Sequence, residues 1–221
     1  MTAIGAPRPA GAVPSQIERL KRTARQPGEA SFFFHDAHFG GAAVKVLPGE
    51  YFVSNEEVLI MTTLGSCIAV CLWDRNARIG GLNHFMLPDA NPDGDRAGDS
   101  SGGRFGTFAM ELLINAMLKR GATRGSLEAK VFGGGHVIQG MTTLLVGERN
   151  TRFAFDYLAT ERIPVVSKDV LDTCARKVCF LPLTGKAMIK RLAPTNPEAL
   201  VAGEQRALRP ATPQAGSVDL F

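Results

Sequence analysis

The chain has 221 residues, 45% of them hydrophobic and 21% charged, enough apolar material to bury one substantial core in one domain with two tails. Its formal net charge of +4 is already reached within the first 25 residues, where Arg8, Arg19, Lys21, Arg22 and Arg25 stand against Glu18. The body is therefore near neutral, which excludes a nucleic-acid-binding face on the fold itself. The longest apolar stretch, Val58 to Trp73, is broken by Thr62, Thr63, Gly65 and Ser66 and falls short of the roughly 20 residues that span a bilayer, so membrane insertion is excluded too.

Residues 1–30 combine Pro7, Pro9, Pro14 and Pro27 with many Ala and Gly and have too few large apolar groups to order themselves. They are expected to form a disordered basic tail, either a solubilising or a docking arm, and without a long apolar run they are not a signal peptide. The same style returns after Leu192 with Pro194, Pro197, Pro210 and Pro213, so 194–221 is expected to be a second, Pro- and Ala-rich tail. With no secretory leader, Cys67, Cys71, Cys174 and Cys179 are expected to be free thiols in the reducing cytoplasm. His35 and His38 stand three apart, but no Cys-x-x-Cys pair exists and the other histidines are distant in sequence, so no metal site is expected.

In chain order, Glu57–Thr62 and Cys67–Trp73 read as strands. The polar break Arg75-Asn76-Ala77-Arg78 then turns the chain into a third strand at Gly81–Met86, as in a hairpin. With Arg75 and Asn76 as the loop residues, Asp74 pairs with Ala77 and Cys67 with His84. Directly opposed residues hold their Cβ atoms roughly 4.5–5.5 Å apart, which brings a thiol and an imidazole within reach of one another. Such a pair is the nucleophile and base of thiol catalysis. Register is the sensitive point, because a one-residue slip sends His84 to the other face. Taken alone, a cysteine at a strand mouth is most often a small buried hydrophobe, and a lone histidine a satisfied core or surface residue.

A base is usually oriented by a third group, and Thr62, Thr63 and Ser66 offer hydroxyls that can hold the ring or bond a substrate amide. Thr63 is the choice for the third catalytic group and Thr62 the next; each also reads as a strand hydroxyl bonded to nearby backbone. From Phe105 the positions Phe108, Ala109, Leu112, Leu113, Ala116 and Met117 form the stripe of one amphipathic helix, closed by Lys119, Arg120 and Gly121. Leu127–Phe132 reads as a strand. The Gly133-Gly134-Gly135 run after it either presents N–H groups to an oxyanion or makes a tight turn, and it lacks the spacing and lysine of a P-loop. Asn150 reads as the N-cap of a second helix carrying Phe153, Tyr157 and Leu158 inward. Val165–Lys168, Lys177–Leu181 and Ala187–Arg191 complete a set whose order points to α+β layers with a mixed, largely antiparallel sheet.

The run Leu64-Gly65-Ser66-Cys67-Ile68-Ala69-Val70, then Asp74, then His84-Phe85-Met86-Leu87-Pro88, resembles the signature of the CheD family, the chemoreceptor glutamine deamidases of bacterial chemotaxis. The likeness continues through Glu128-Ala129-Lys130-Val131-Phe132-Gly133-Gly134-Gly135, Gly147-Glu148-Arg149-Asn150, Ile163-Pro164-Val165-Val166, Arg176-Lys177-Val178 and Thr184-Gly185-Lys186. The resemblance implies an α/β sandwich with its site at one end of the sheet, and a catalytic domain at 31–193. Cys67 would be the nucleophile at a strand start, where Gly65 lets a substrate approach the backbone closely. His84 would be the base, with a threonine helper a few residues before the cysteine; an ungapped match puts that helper at Met61. Ser66, Gly65, Thr62, Gly133 and Gly134 are candidates for contacts to the substrate or its oxyanion.

The implied reaction is cofactor-free hydrolysis of receptor glutamine side chains to glutamate, in support of chemotactic adaptation. The implied partners are methyl-accepting chemotaxis receptors and a CheC-type phosphatase. Two other classes remain open from the residues: a regulatory module whose thiol is incidental, and a general cysteine amidase or peptidase. The chain departs from the family pattern where relatives tend to carry a glycine pair before Arg176 and it has Leu171-Asp172-Thr173-Cys174-Ala175, and again at His136.

Overall fold

The computed structural model describes residues 15–87, 101–137 and 141–192, with the side chains of 101–104 and 141–145 outside the description. The expected C-terminal tail at 194–221, residues 1–14 of the expected N-terminal tail, and Pro88 also lie outside the described residues.

The segment expected as a disordered tail carries helix α1 (Gln16–Arg22). Its start is a capping box, in which the Ser15 hydroxyl accepts from the Glu18 N–H and the Glu18 carboxylate accepts from the Ser15 N–H. Leu20 is buried in the main core, Arg19 pairs with Glu56, and the Arg25 guanidinium lies 4.6 Å from the Phe33 ring centre. Two of the cations assigned to a free arm thus fasten it to the body. Composition misled because the capping box outweighs the local shortage of apolar residues.

Among the described residues ten strands follow: β1 (Phe32–Asp36), β2 (Gly41–Lys45), β3 (Tyr51–Ser54), β4 (Leu59–Leu64), β5 (Ile68–Asp74), β6 (Ile79–Phe85), β7 (Leu127–Gly133), β8 (Val165–Val170), β9 (Arg176–Leu181) and β10 (Lys186–Arg191). Two further helices are α2 (Ser101–Lys119) and α3 (Met141–Thr160). One sheet runs β1-β2-β4-β9-β10 and the other β3-β6-β5-β7-β8. Among the described strands only β2–β4 and β7–β8 pair in parallel, so the α+β fold has mixed, largely antiparallel sheets as the element order implied. The sequence reading missed the three strands before residue 55.

The sheets face one another across a core that includes Val44, Ile60, Val178 and Phe180 from one and Phe52, Ala69, Leu82 and Phe132 from the other. A second core, with Val53, Val70, Leu72, Met110, Leu113, Met117 and Leu158, lies between the β5 sheet and helices α2 and α3. β5 is therefore buried on both faces and reads as an unbroken apolar run. Its even positions Ile68, Val70 and Leu72 meet the helices, while Cys67, Ala69 and Cys71 point between the sheets.

The hairpin is real but its register differs from the expected one. Asp74 pairs with Ile79 and Ala69, not Cys67, stands opposite His84. The loop has four residues because the Asp74 carboxylate accepts from the N–H groups of Asn76 and Ala77, wrapping the turn around itself. A shift of two leaves the faces unchanged, so Cys67 sits diagonal to His84 on the same side. The α2 stripe is rotated from the expected one: Met110, Leu113, Ile114 and Met117 are buried, whereas Phe108 is 57% exposed. Asn150 lies inside α3 and is not its cap.

α3 ends in a Schellman motif, with Arg162 N–H donating to Ala159 C=O and Ile163 N–H to Leu158 C=O. The residue that must turn left-handed there is Arg162, at φ +57°, with an exposed side chain. Arg162→Gly is expected to raise the unfolding free energy by about 1 kcal/mol, measured by urea denaturation, because glycine carries no Cβ penalty in that conformation. An unchanged or lowered midpoint would contradict this.

Candidate active site

Three strands converge on one buried imidazole. On β4, Ile60, Thr62 and Leu64 point into the inter-sheet core, and Thr62 is 2% exposed. Its Oγ1 lies 2.8 Å from the Val46 carbonyl oxygen and 2.8 Å from His84 Nδ1. The Val46 oxygen can only accept, so the single hydroxyl proton of Thr62 goes there and its lone pair receives the Nδ1–H. His84 is thereby fixed as the Nδ1-protonated tautomer, with a bare lone pair on Nε2. That nitrogen is fully buried and has no hydrogen-bond partner.

The backbone of His84 is held as firmly as its ring. Its N–H donates to Glu50 C=O at 2.9 Å and its C=O accepts from Gly49 N–H at 2.7 Å. Burial pushes the imidazole pKa down to about 4, with the Val46 carbonyl pulling weakly the other way. The ring is therefore neutral at physiological pH and available as a base.

Cys67 is fully buried, faces the same core as His84, and ends a loop whose carbonyls are all bound. Gly65 C=O accepts from Gly135 N–H and Cys67 C=O from Gly134 N–H, each at 2.7 Å. Ser66 C=O accepts from the Asn150 side-chain amide at 2.9 Å. The glycine run thus continues from the end of β7 along this loop, and the Gly134 N–H expected to meet substrate is bound to the Cys67 carbonyl. Its closeness has a steric condition: at Gly133, φ +114°, a Cβ would fall 2.1 Å from the Cys67 carbonyl oxygen.

Of the remaining predicted residues, Ser66 is buried and its hydroxyl donates to Met86 Sδ at 3.6 Å. Thr63, the threonine preferred from sequence, stands opposite Lys177 on the outer face of β4, turned away from His84. The correction is one of strand parity: Thr62 shares the face of Ile60 and Leu64, and only that face reaches β6. Cys71 also faces the inter-sheet core, but four residues further on and opposite Leu82, and burial pushes its thiol well up.

The sequence reading assigned no role to Arg176 beyond its place in a motif. It is fully buried, and its guanidinium bonds Gly133 C=O and Leu171 C=O while its Nε lies 3.3 Å from an Asp169 oxygen. A buried charge with such partners ties β9 to the end of β7. The atypical stretch beside it takes a left-handed path, with Leu171 at φ +62° and Asp172 at φ +72°, conformations that favour glycine. Arg191 pairs with Asp172, His136 N–H donates to the Asp172 carbonyl and Leu192 N–H to the Ala175 carbonyl, so both ends of the segment are bound.

Comparison with known sequences points to one family. A family model described as CheD chemotactic sensory transduction matches residues 86–191. A protein of Albidiferax ferrireducens named probable chemoreceptor glutamine deamidase CheD 1 is 58% identical over 96% of this chain and 89% of its own. One of the same name from Dechloromonas aromatica is 47% identical over 85% of this chain and 93% of its own. Among solved structures, the Bacillus licheniformis hypothetical protein YfiH covers 55% of this chain and 51% of its own, at 11% identity and a TM-score of 0.37.

Burial of His84 has a consequence for stability. The unfolded chain takes up a proton near pH 6.5 and the folded one only near pH 4, so between those values the unfolded state binds more protons. The stability contributed by the neutral ring is present above 6.5 and is lost as pH falls toward 4, by on the order of 3 kcal/mol. Urea unfolding of the wild type should therefore lose more stability across this window than that of His84→Gln. Parallel pH profiles for the two proteins would contradict the assignment.

Proposed function

Because the chain belongs to the CheD family, we propose that it hydrolyses glutamine side chains in the cytoplasmic helical region of methyl-accepting chemotaxis receptors, giving glutamate and ammonia. The observation that carries this reading is the His84 ring, held by Thr62 in the tautomer that leaves a buried basic nitrogen on the face of Cys67.

In this mechanism His84 Nε2 takes the proton of the Cys67 thiol, and the thiolate attacks the carboxamide carbon of the substrate. The C–N bond of the tetrahedral adduct breaks as the imidazolium returns that proton to nitrogen, so ammonia leaves and a thioester remains. A water then gives one proton to Nε2 and adds its oxygen to the acyl carbon. The C–S bond breaks, the thiolate regains its proton, and the product is a glutamate side chain. Throughout the cycle Thr62 accepts from Nδ1–H and keeps the ring from turning or changing tautomer. A glutamate so formed is able to accept a methyl ester, which connects the reaction to adaptation.

Intact-mass spectrometry of receptor cytoplasmic fragments, with ammonia assayed in parallel, tests the reading. Each deamidation raises the mass by about one unit, whereas a peptidase would give shorter fragments. The wild type should produce the unit shifts and ammonia, Cys67→Ala neither, and Cys71→Ala most of the wild-type rate. Equal loss in both variants, or cleaved fragments, would overturn the proposal.

A further inference from the structure

Resting on the reading of Cys67 and His84 as nucleophile and base, we propose that Asn150 is a positioning residue, an amide wedge inserted between their two strands to hold the mouth of the hairpin open. The β5–β6 ladder ends at Ile68 opposite Phe85, and continued by two steps it would set Ser66 opposite Leu87. The N–H and C=O of His84 are both spent toward Glu50 and Gly49, on the side of β3, so by alternation the main-chain groups of Phe85 and Leu87 turn toward β5. A direct rung from Leu87 N–H to Ser66 C=O is what the strands would otherwise form.

Asn150 stands in its place. Leu87 N–H donates to Asn150 Oδ1 at 2.9 Å, and Asn150 Nδ2 donates to Ser66 C=O at 2.9 Å. One side-chain amide thus completes both halves of the missing rung while forcing the strands apart by its own width. The Ser66 carbonyl belongs to the peptide plane that carries the Cys67 nitrogen, so the bond fixes the main chain immediately before the nucleophile. Leu87 lies three residues beyond the base. Asn150 is fully buried, and no aliphatic side chain of its size satisfies a donor and an acceptor together.

The helix that delivers it is seated by contact with the glycine run. At Gly147, three residues before Asn150 and on the same side of α3, a Cβ would lie 2.4 Å from the Gly134 carbonyl oxygen. The Gly147 and Asn150 of one sequence block thus act together, the first permitting the approach and the second making the two bonds.

The test compares Asn150→Ala and Asn150→Asp with the wild type and Cys67→Ala. Two readouts are used: kcat and KM on a receptor fragment, and the rate of Cys67 carboxymethylation by iodoacetamide against pH, followed by peptide mapping. Asp keeps the acceptor for Leu87 N–H but sets an oxygen against Ser66 C=O; Ala removes both bonds. Both variants should stay folded by circular dichroism, lose about a hundred-fold in kcat with KM within a few-fold, and show a displaced alkylation profile, because misplacement of a reacting group by about 1 Å carries a loss of that order. Wild-type kcat and alkylation in the folded variants would overturn the wedge while an inactive Cys67→Ala leaves the catalytic reading standing. An active Cys67→Ala would instead overturn that reading, and the wedge with it. Failure of both variants to fold would assign Asn150 to the fold alone and equally overturn the positioning role.

Discussion

One hydroxyl used twice governs the chemistry of this molecule. Thr62 can act as both donor to Val46 and acceptor from His84 only because β4 is pressed face to face against β6 with that side chain inside. The same packing removes water from the imidazole and lowers its proton affinity, so burial and tautomer have one cause. A base buried in this way costs stability when it is charged. It is tolerated because the hydrogen bond on Nδ1 satisfies one ring nitrogen and leaves only Nε2 bare.

Around that pair the fold supplies a frame of short backbone bonds in place of flexible side chains. The three carbonyls from Gly65 to Cys67 are each taken by a different donor, two from the glycine run and one from α3. The buried Arg176 collects the carbonyls of Gly133 and Leu171, linking β7, the end of β8 and β9 at one point. The left-handed Leu171 and Asp172 sit at that junction. They cost backbone energy that glycine would not, and are held there by the Arg176 and Arg191 contacts.

The hairpin, the α+β class and the shared face of Cys67 and His84 were legible in the residues because alternation is robust to an even shift in register. The loop length was not, since the Asp74 carboxylate that sets it acts through backbone N–H groups that no hydropathy pattern displays. The choice between Thr62 and Thr63 is one of strand parity, which the sequence reading did not apply to β4; the two-residue offset of the strand from its β-like composition leaves that parity unchanged. Parity counted from the buried Ile60 and Leu64 would have selected Thr62. Asn150 was misread because an asparagine before aromatic residues is a common cap, and a helix that starts nine residues earlier and buries its polar residue against two strand ends leaves no periodic trace. The Ser15 and Glu18 capping box was readable and was outweighed by the composition of its neighbourhood.

The account stands or falls on which nitrogen of His84 carries the proton. Heteronuclear nitrogen NMR of the imidazole rings at neutral pH, with the His84 signals identified by their loss in His84→Gln, reads this directly. The geometry predicts a neutral ring protonated at Nδ1 and bare at Nε2. A proton on Nε2 of a neutral ring would contradict it, because Thr62 would then be donating to Nδ1, and so would a charged ring; in either case no base would face Cys67.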